Sequence, residues 1–61
     1  MILFSSDEVR QRFHELPIER QSEWTDVAEG YLKRGFQLRI LFIEQTPEAL
    51  EVSIRVDKKF D

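Results

Sequence analysis

Residues 36–56 decide the fold of this chain, and their sequence is FQLRILFIEQTPEALEVSIRV. Apolar side chains recur at every second position in residues 36–43 and again in residues 50–57. Successive side chains of a β-strand point to opposite faces, so this alternation predicts two strands. Thr46 and Pro47 between them are typical of a tight turn, because proline presets the backbone angle at its first central position. The sequence therefore predicts a C-terminal antiparallel hairpin.

Alternation also assigns each side chain of the hairpin to a face. The buried face is predicted to carry Phe36, Leu38, Ile40, Phe42, Leu50, Val52, Ile54 and Val56. Two aliphatic residues fall on the opposite, outer face beside arginines, and exposed apolar groups rimmed by charge mark interaction sites. We predict an interface there, for self-association or for a partner, formed by Arg39, Leu41, Ile43, Ser53 and Arg55. The alternative is that Phe60 or residues 1–4 fold over the two aliphatic residues.

The pairing register of the hairpin is less constrained than its faces. The register that matches the apolar faces most directly sets Arg39 opposite Arg55, and like charges directly opposite each other are destabilising. A slip of two residues keeps the faces and places Arg39 opposite Asp57 or, in the other direction, opposite Ser53. We predict one of these slipped registers.

Two helices are predicted upstream of the hairpin, at residues 6–15 and 17–34. Ser5 and Glu8 have the spacing of a capping box, in which each side chain accepts a hydrogen bond from the backbone N–H of the other residue. Apolar residues then recur at three- and four-residue intervals, which is typical of helices with one buried face. These apolar residues are Val9, Phe13, Leu16, Trp24, Val27, Tyr31 and Leu32. Gly35 is suited to end the second helix in a left-handed conformation.

Together these elements predict one α+β domain spanning residues 1–61. Two antiparallel strands alone are unstable in water, so the two N-terminal helices are expected to cover one face of the hairpin, in the order ααββ. Gly30 in the second helix is expected to allow close approach of the first helix or of the sheet. Residues 1–4 are a candidate third strand along an edge of the hairpin, and dimerisation would extend the sheet further.

The composition limits how such a small domain can be stabilised. A chain of 61 residues buries a small core, and disulfides, metals or oligomerisation are the usual supports. The sequence has no cysteine and one histidine, so no disulfide, structural zinc site or cofactor is expected. Self-association as a homodimer is the support that remains. The N-terminus lacks the pattern of a signal peptide, and no apolar run has the length of a membrane span, so we predict a cytoplasmic protein.

No arrangement of residues indicates catalysis, because His14 falls on an exposed helical face without a nucleophile and an orienting group beside it. We therefore predict a non-enzymatic protein-interaction module, an accessory or regulatory protein that self-associates and binds a larger protein partner. The net charge is −3, with the acids concentrated in the first half, and Glu19, Glu23 and Asp26 are predicted to face the partner. The alternative is a nucleic-acid-associated regulator whose phosphate contacts come from a C-terminal basic patch: Arg34, Arg39, Arg55, Lys58 and Lys59.

Overall fold

The computed structural model describes residues 2–59, which form two helices and a three-stranded sheet. The elements in chain order are β1 (Ile2–Phe4), α1 (Asp7–His14), α2 (Ile18–Lys33), β2 (Phe36–Gln45) and β3 (Leu50–Lys58). The strands lie in the order β1-β2-β3, with β1 parallel and β3 antiparallel to β2. The predicted α+β class is confirmed. Within the described range, no helix combines the length and the apolar character that crossing a membrane requires.

The predicted order ααββ lacks the first strand, because Ile2–Phe4 forms β1 at one edge of the sheet. Phe4 lies opposite Ile40 in a parallel ladder. A parallel neighbour needs a long crossover connection, and the two helices provide it. The aromatic rings of Phe4 and Phe13 have centroids 5.4 Å apart, so β1 also packs against α1. The candidate third strand is thus present, while Met1 lies outside the described residues.

Ser6 caps α1, and Ser5 does not. The Ser6 side chain accepts a hydrogen bond from the Val9 N–H at 3.2 Å. Ser5 continues the pairing with β2, where its hydroxyl donates to the Leu41 carbonyl at 2.8 Å. The predicted capping box of Ser5 and Glu8 is therefore wrong, because the sheet engages the polar groups of Ser5 and the helix begins one residue later.

α2 is joined to α1 by a tight connection that uses a glutamine side chain. Gln21 Nε2 donates to the carbonyls of His14 at 3.0 Å and Leu16 at 2.8 Å, which satisfies acceptors that the end of α1 leaves free. Gly35 follows the helix with φ 88°, the left-handed conformation predicted for it. The prediction for Gly30 is wrong, because a Cβ added there would meet nothing within 4 Å.

A bulge in β2 reverses the alternation that the sequence analysis assumed. The buried residues of the core are Val9, Phe13, Leu16, Ala28, Leu38, Ile40 and Ile43. Ile40 lies opposite Ile54, but Phe42 lies opposite Ser53, so one extra residue stands between the two pairs. Such a residue moves every following side chain to the other face. Ile43 is therefore 2% exposed and Phe42 is 51% exposed, and the predicted faces of both are wrong.

The first part of the hairpin adopts the register that its charges disfavour, with Arg39 opposite Arg55. The slipped registers, which place Asp57 or Ser53 opposite Arg39, are therefore wrong. Arg55 Nε donates to Asp57 Oδ1 at 2.9 Å, and this exposed contact offsets part of the repulsion. A cross-strand charge pair contributes about 0.2–1 kcal/mol, whereas burial of one aliphatic side chain contributes about 1.5–3 kcal/mol. Apolar packing on the inner face therefore decides the register.

Candidate interaction surfaces

The fold leaves the inner face of β3 incompletely covered. α2 packs mainly on β2, and Ala28 is its one buried residue. Val27 on α2 is 42% exposed and Val56 on β3 is 37% exposed, although the sequence analysis places both in the core. We name this surface the open strip, and its residues are Trp24, Val27, Val52, Ile54 and Val56. The open strip is apolar: Val27 and Val56 are exposed, whereas Trp24, Val52 and Ile54 are half-buried and pack against the core on one side.

One end of the open strip is a cleft of about 480 Å³ between α2 and the start of β3. Its apolar lining residues are Trp24, Val27, Ala49, Leu50 and Val52. Arg20 and Glu23 also line it, with Arg20 Nη1 at 3.1 Å from Glu23 Oε1. The lining is thus about half polar and half apolar, and apolar groups bordered by charge have the chemistry of a protein-binding surface.

The outer face of the sheet retains most of the predicted interface. Arg39, Ser53 and Arg55 lie on it by alternation, and Leu41, in the bulge, is 39% exposed. Ile43 does not belong to this face, because the bulge turns it into the core, and Phe42 is exposed instead. Ile2–Phe4 does not fold over this surface, since it forms a strand beside β2. The other cover considered in the sequence analysis, Phe60, lies outside the described residues.

The exposure of Phe42 was not predicted, although the sequence contains a signal for it. Four consecutive apolar residues, at positions 40–43, break the two-residue period of a strand with one solvated face. A bulge accommodates such a run by placing two consecutive residues opposite one residue of the partner strand. The open strip had no comparable signal, because its exposure depends on where α2 lies over the sheet.

Two pairs of like charges lie directly opposite each other across β2 and β3. Arg39 is paired with Arg55, and Glu44 is paired with Glu51. Each pair is unfavourable within one chain. The second pair exists only because of the bulge, which shifts the pairing of all residues beyond it. As a result, Glu51 and Arg55 stand four positions apart on the outer face of β3, each facing a like charge.

The predicted acidic residues come together on one side of α2. Glu19, Glu23 and Asp26 are all exposed and lie on successive turns of the helix. Glu23 forms the ion pair with Arg20 and lines the cleft, so this acidic face borders the open strip. Among residues 2–59, no group of three or more His, Asp or Glu side chains is placed to hold a metal ion.

The five basic residues of the alternative patch divide into two groups. Arg34 caps the C-terminus of α2, and the Lys59 N–H donates to the Gly35 carbonyl at 2.8 Å, which brings Arg34, Lys58 and Lys59 to the same end of the sheet. Arg39 and Arg55 lie roughly 10 Å further along the strands, on the outer face. The Arg55 guanidinium is also engaged by Asp57.

Comparisons with known proteins add no functional information to this geometry. Two of the surfaces described above are apolar, the open strip on the inner face and the exposed Leu41 and Phe42 on the outer face. No protein-family model, no curated protein and no solved structure matches this chain.

Proposed function

We propose that this chain is a small, non-enzymatic, cytoplasmic interaction module, an accessory or regulatory protein that self-associates and binds a larger protein partner. The observation that carries the proposal is the open strip, an apolar surface between α2 and β3 in which Val27 and Val56 are exposed and the other residues are half-buried. A domain of 61 residues gains little stability from its own core, so covering this surface with another protein surface is favourable.

Self-association is tested by sedimentation velocity over a range of protein concentrations. The native chain should form a larger species as the concentration rises. Val27→Lys places a charge on the open strip, and it should raise the dissociation constant roughly 10- to 100-fold, because an apolar contact of a few kcal/mol is replaced by a charge that must lose water.

Ile18→Lys is the matched control for this experiment. Ile18 is also an aliphatic residue of α2, and at 71% exposed it is more accessible than Val27, but it lies at the helix start and does not line the cleft. The control should assemble like the native chain. Equal behaviour of the two variants would show that the open strip is not buried by assembly.

The larger partner is proposed to bind the outer face at Leu41 and Phe42, flanked by Arg39 and Arg55. A β-bulge that turns an aromatic side chain outward is typical of a strand that presents this side chain to a ligand. The acidic face of Glu19, Glu23 and Asp26 is proposed as a second contact for basic groups of the same partner. The partner should be recovered by affinity capture from the native host.

Phe42→Thr tests the outer face, because threonine keeps the strand propensity and removes the ring. Captured protein should decrease at least tenfold with this variant and remain unchanged with Ile18→Lys. Recovery of the same protein by native chain and Phe42→Thr in equal amounts would reject this face as the partner site. Glu19→Gln combined with Asp26→Asn then measures the contribution of the acidic face, which should weaken as salt is added.

Binding of nucleic-acid phosphates is a second candidate function, favoured by one observation. Arg34, Lys58 and Lys59 lie at the same end of the sheet. Anisotropy of a labelled oligonucleotide should then fall steeply with salt, and changing all three residues to glutamine should lower the salt slope by about three phosphate contacts. Absence of binding at low salt would exclude this function.

A further inference from the structure

We propose that a second copy of this chain adds its β3 antiparallel to β3, centred on Ser53, so that Glu51 lies opposite Arg55 of the second copy. This inference rests on the self-association proposed above and specifies its geometry. The resulting dimer has a continuous six-stranded sheet with a twofold axis through the paired Ser53 residues.

The long edge of β3 is open within residues 2–59. β3 spans nine residues, Leu50–Lys58, and in this part of the chain its backbone groups bond only to β2. β1, at the other edge, has three residues. An unpaired strand edge is a template for another strand, and proteins usually protect it with a proline, a bulge, charged side chains or a short length. β3 contains no proline, and the bulge lies in β2.

The charges on β3 are arranged for a second copy rather than for the strand beside it. Within one chain, Glu51 lies opposite Glu44 and Arg55 lies opposite Arg39, so each is opposite a like charge, and Arg55 has an exposed ion pair with Asp57 on its own strand. On the free side of β3, an antiparallel copy can offer each of them the opposite charge. A twofold interface repeats every contact, so the Glu51–Arg55 contact occurs twice.

Three registers are possible near the middle of β3, centred on Ser53, Ile54 or Arg55. Only one of them places Glu51 and Arg55 of different copies opposite each other. Residues directly opposite each other in an antiparallel pair share a face. The twofold axis must therefore pass between two copies of the same residue, and each change of register moves the axis to the next residue. Centring on Ile54 sets Glu51 opposite Asp57, and centring on Arg55 sets two arginines opposite each other. Centring on Ser53 pairs each Glu51 with an arginine.

The same register also places apolar residues together on the inner face. Val52 lies opposite Ile54 of the second copy, and Leu50 lies opposite Val56. The two copies of the open strip therefore join across the twofold axis. The α2 helices lie on the same face of the combined sheet, so Trp24 and Val27 of each copy border the joined strip. The exposed Val27 and Val56 of each chain thereby lie near the interface.

Charge reversal tests the proposed register. Glu51→Arg sets an arginine opposite Arg55 of the second copy at both contacts, and Arg55→Glu sets a glutamate opposite Glu51. Each single variant should raise the dissociation constant roughly 10- to 100-fold. When the two variants are mixed, both contacts pair opposite charges, and a mixed dimer with near-native affinity should form. The double variant Glu51→Arg/Arg55→Glu should likewise associate with itself.

The charge-reversed variants are not expected to lose assembly through unfolding. Within one chain, Glu51→Arg sets an arginine opposite Glu44, and Arg55→Glu sets a glutamate opposite Arg39, so both changes replace a repulsive cross-strand pair with an attractive one. Arg55→Glu also removes the ion pair with Asp57, but this contact is exposed and contributes little to stability. The far-ultraviolet circular dichroism of each variant should remain native. Loss of assembly with retained fold is the result expected only for an intermolecular contact.

A cysteine cross-link provides an independent measurement. The chain has no cysteine, so Ser53→Cys introduces a single thiol. Opposite residues of an antiparallel pair have Cα atoms about 4.5–5.5 Å apart, within the disulfide range of about 4.4–6.8 Å. Oxidation should link most of the Ser53→Cys chains. The control Ser22→Cys, an exposed position on α2, should remain largely unlinked.

The possible failures are distinguishable. If the native chain remains monomeric at every concentration, self-association and this register are both rejected. If the native chain assembles, but the charge-reversed variants assemble equally well and Ser53→Cys links no better than Ser22→Cys, the register is rejected and self-association stands.

Discussion

The two helices of this domain cover the sheet unequally. α1 has 8 residues and buries Val9 and Phe13, whereas α2 has 16 residues and buries only Ala28. The half of the molecule under α1 is a closed core, and the half formed by α2 and β3 is an open surface. This difference indicates that α1 and the middle of β2 maintain the fold, while α2 and β3 keep apolar side chains exposed.

Among the substitutions that test this difference, Phe13→Ala should have the largest effect on the free energy of unfolding. Phe13 is 5% exposed, and its truncation should lower the free energy of unfolding by about 3–5 kcal/mol. A domain of this size has roughly 3–9 kcal/mol in total, so much of the variant should be unfolded. Val27→Ala, measured by urea denaturation at the same low protein concentration, should cost less than about 1 kcal/mol. Similar losses would show that both halves are equally closed.

The next largest effect tests the bulge within β2. Ile43→Ala should lower the free energy of unfolding by about 2–4 kcal/mol, because Ile43 is buried, whereas Phe42→Ala should lower it by less than about 1 kcal/mol. A strand with regular alternation and no bulge would bury Phe42 instead, so Phe42→Ala would then cause the larger loss of stability. Chemical denaturation of the two variants side by side therefore distinguishes the two arrangements of the strand.

Ser6→Ala should have a smaller effect, confined to the start of α1. Loss of the cap on the Val9 N–H should lower the free energy of unfolding by about 1 kcal/mol. Ser6→Asp keeps an acceptor at the cap and should retain most of the stability. Amide hydrogen exchange in the first turn of α1 should increase in the alanine variant, and unchanged exchange there would contradict the capping role of Ser6.

Gly30→Ala should give the smallest effect, and the one of opposite sign. Gly30 is helical and exposed, and an added Cβ meets nothing within 4 Å, so alanine should raise the free energy of unfolding by about 0.5–1 kcal/mol. The thermal unfolding midpoint should rise accordingly. A fall would mean that the open side of α2 at Gly30 is occupied, for example by a second copy in the assembly.

Local periodicity was sufficient to predict much of the fold. The apolar stripe of Val9, Phe13 and Leu16 predicts the buried face of α1, because helical spacing depends only on residues three and four apart. The stop of α2 at Gly35 is likewise a local property of a residue that accepts a positive φ. Arg39 and Arg55 lie on the same face of the sheet, as alternation predicts, because they pair with each other in the part of the hairpin before the bulge.

The remainder depended on contacts between segments distant in sequence. Ser5 was predicted to cap a helix, but the carbonyl of Leu41 accepts its hydroxyl. Exposure of Val27 follows from the position of α2 over β2, which no local pattern encodes. The charge repulsion between Arg39 and Arg55 is weaker than the apolar packing on the other face, and this ranking is visible only when both faces are known.

The sequence by itself determined the α+β class and the end of α2 at Gly35, because these follow from periodicity and from the backbone preferences of single residues. Only the tertiary structure decided which aromatic and aliphatic side chains of β2 face solvent. One inserted residue at Leu41 changes the face of every residue after it, and whether that residue is accommodated depends on the strand opposite, where Ile54 and Ser53 pair with the two sides of the bulge.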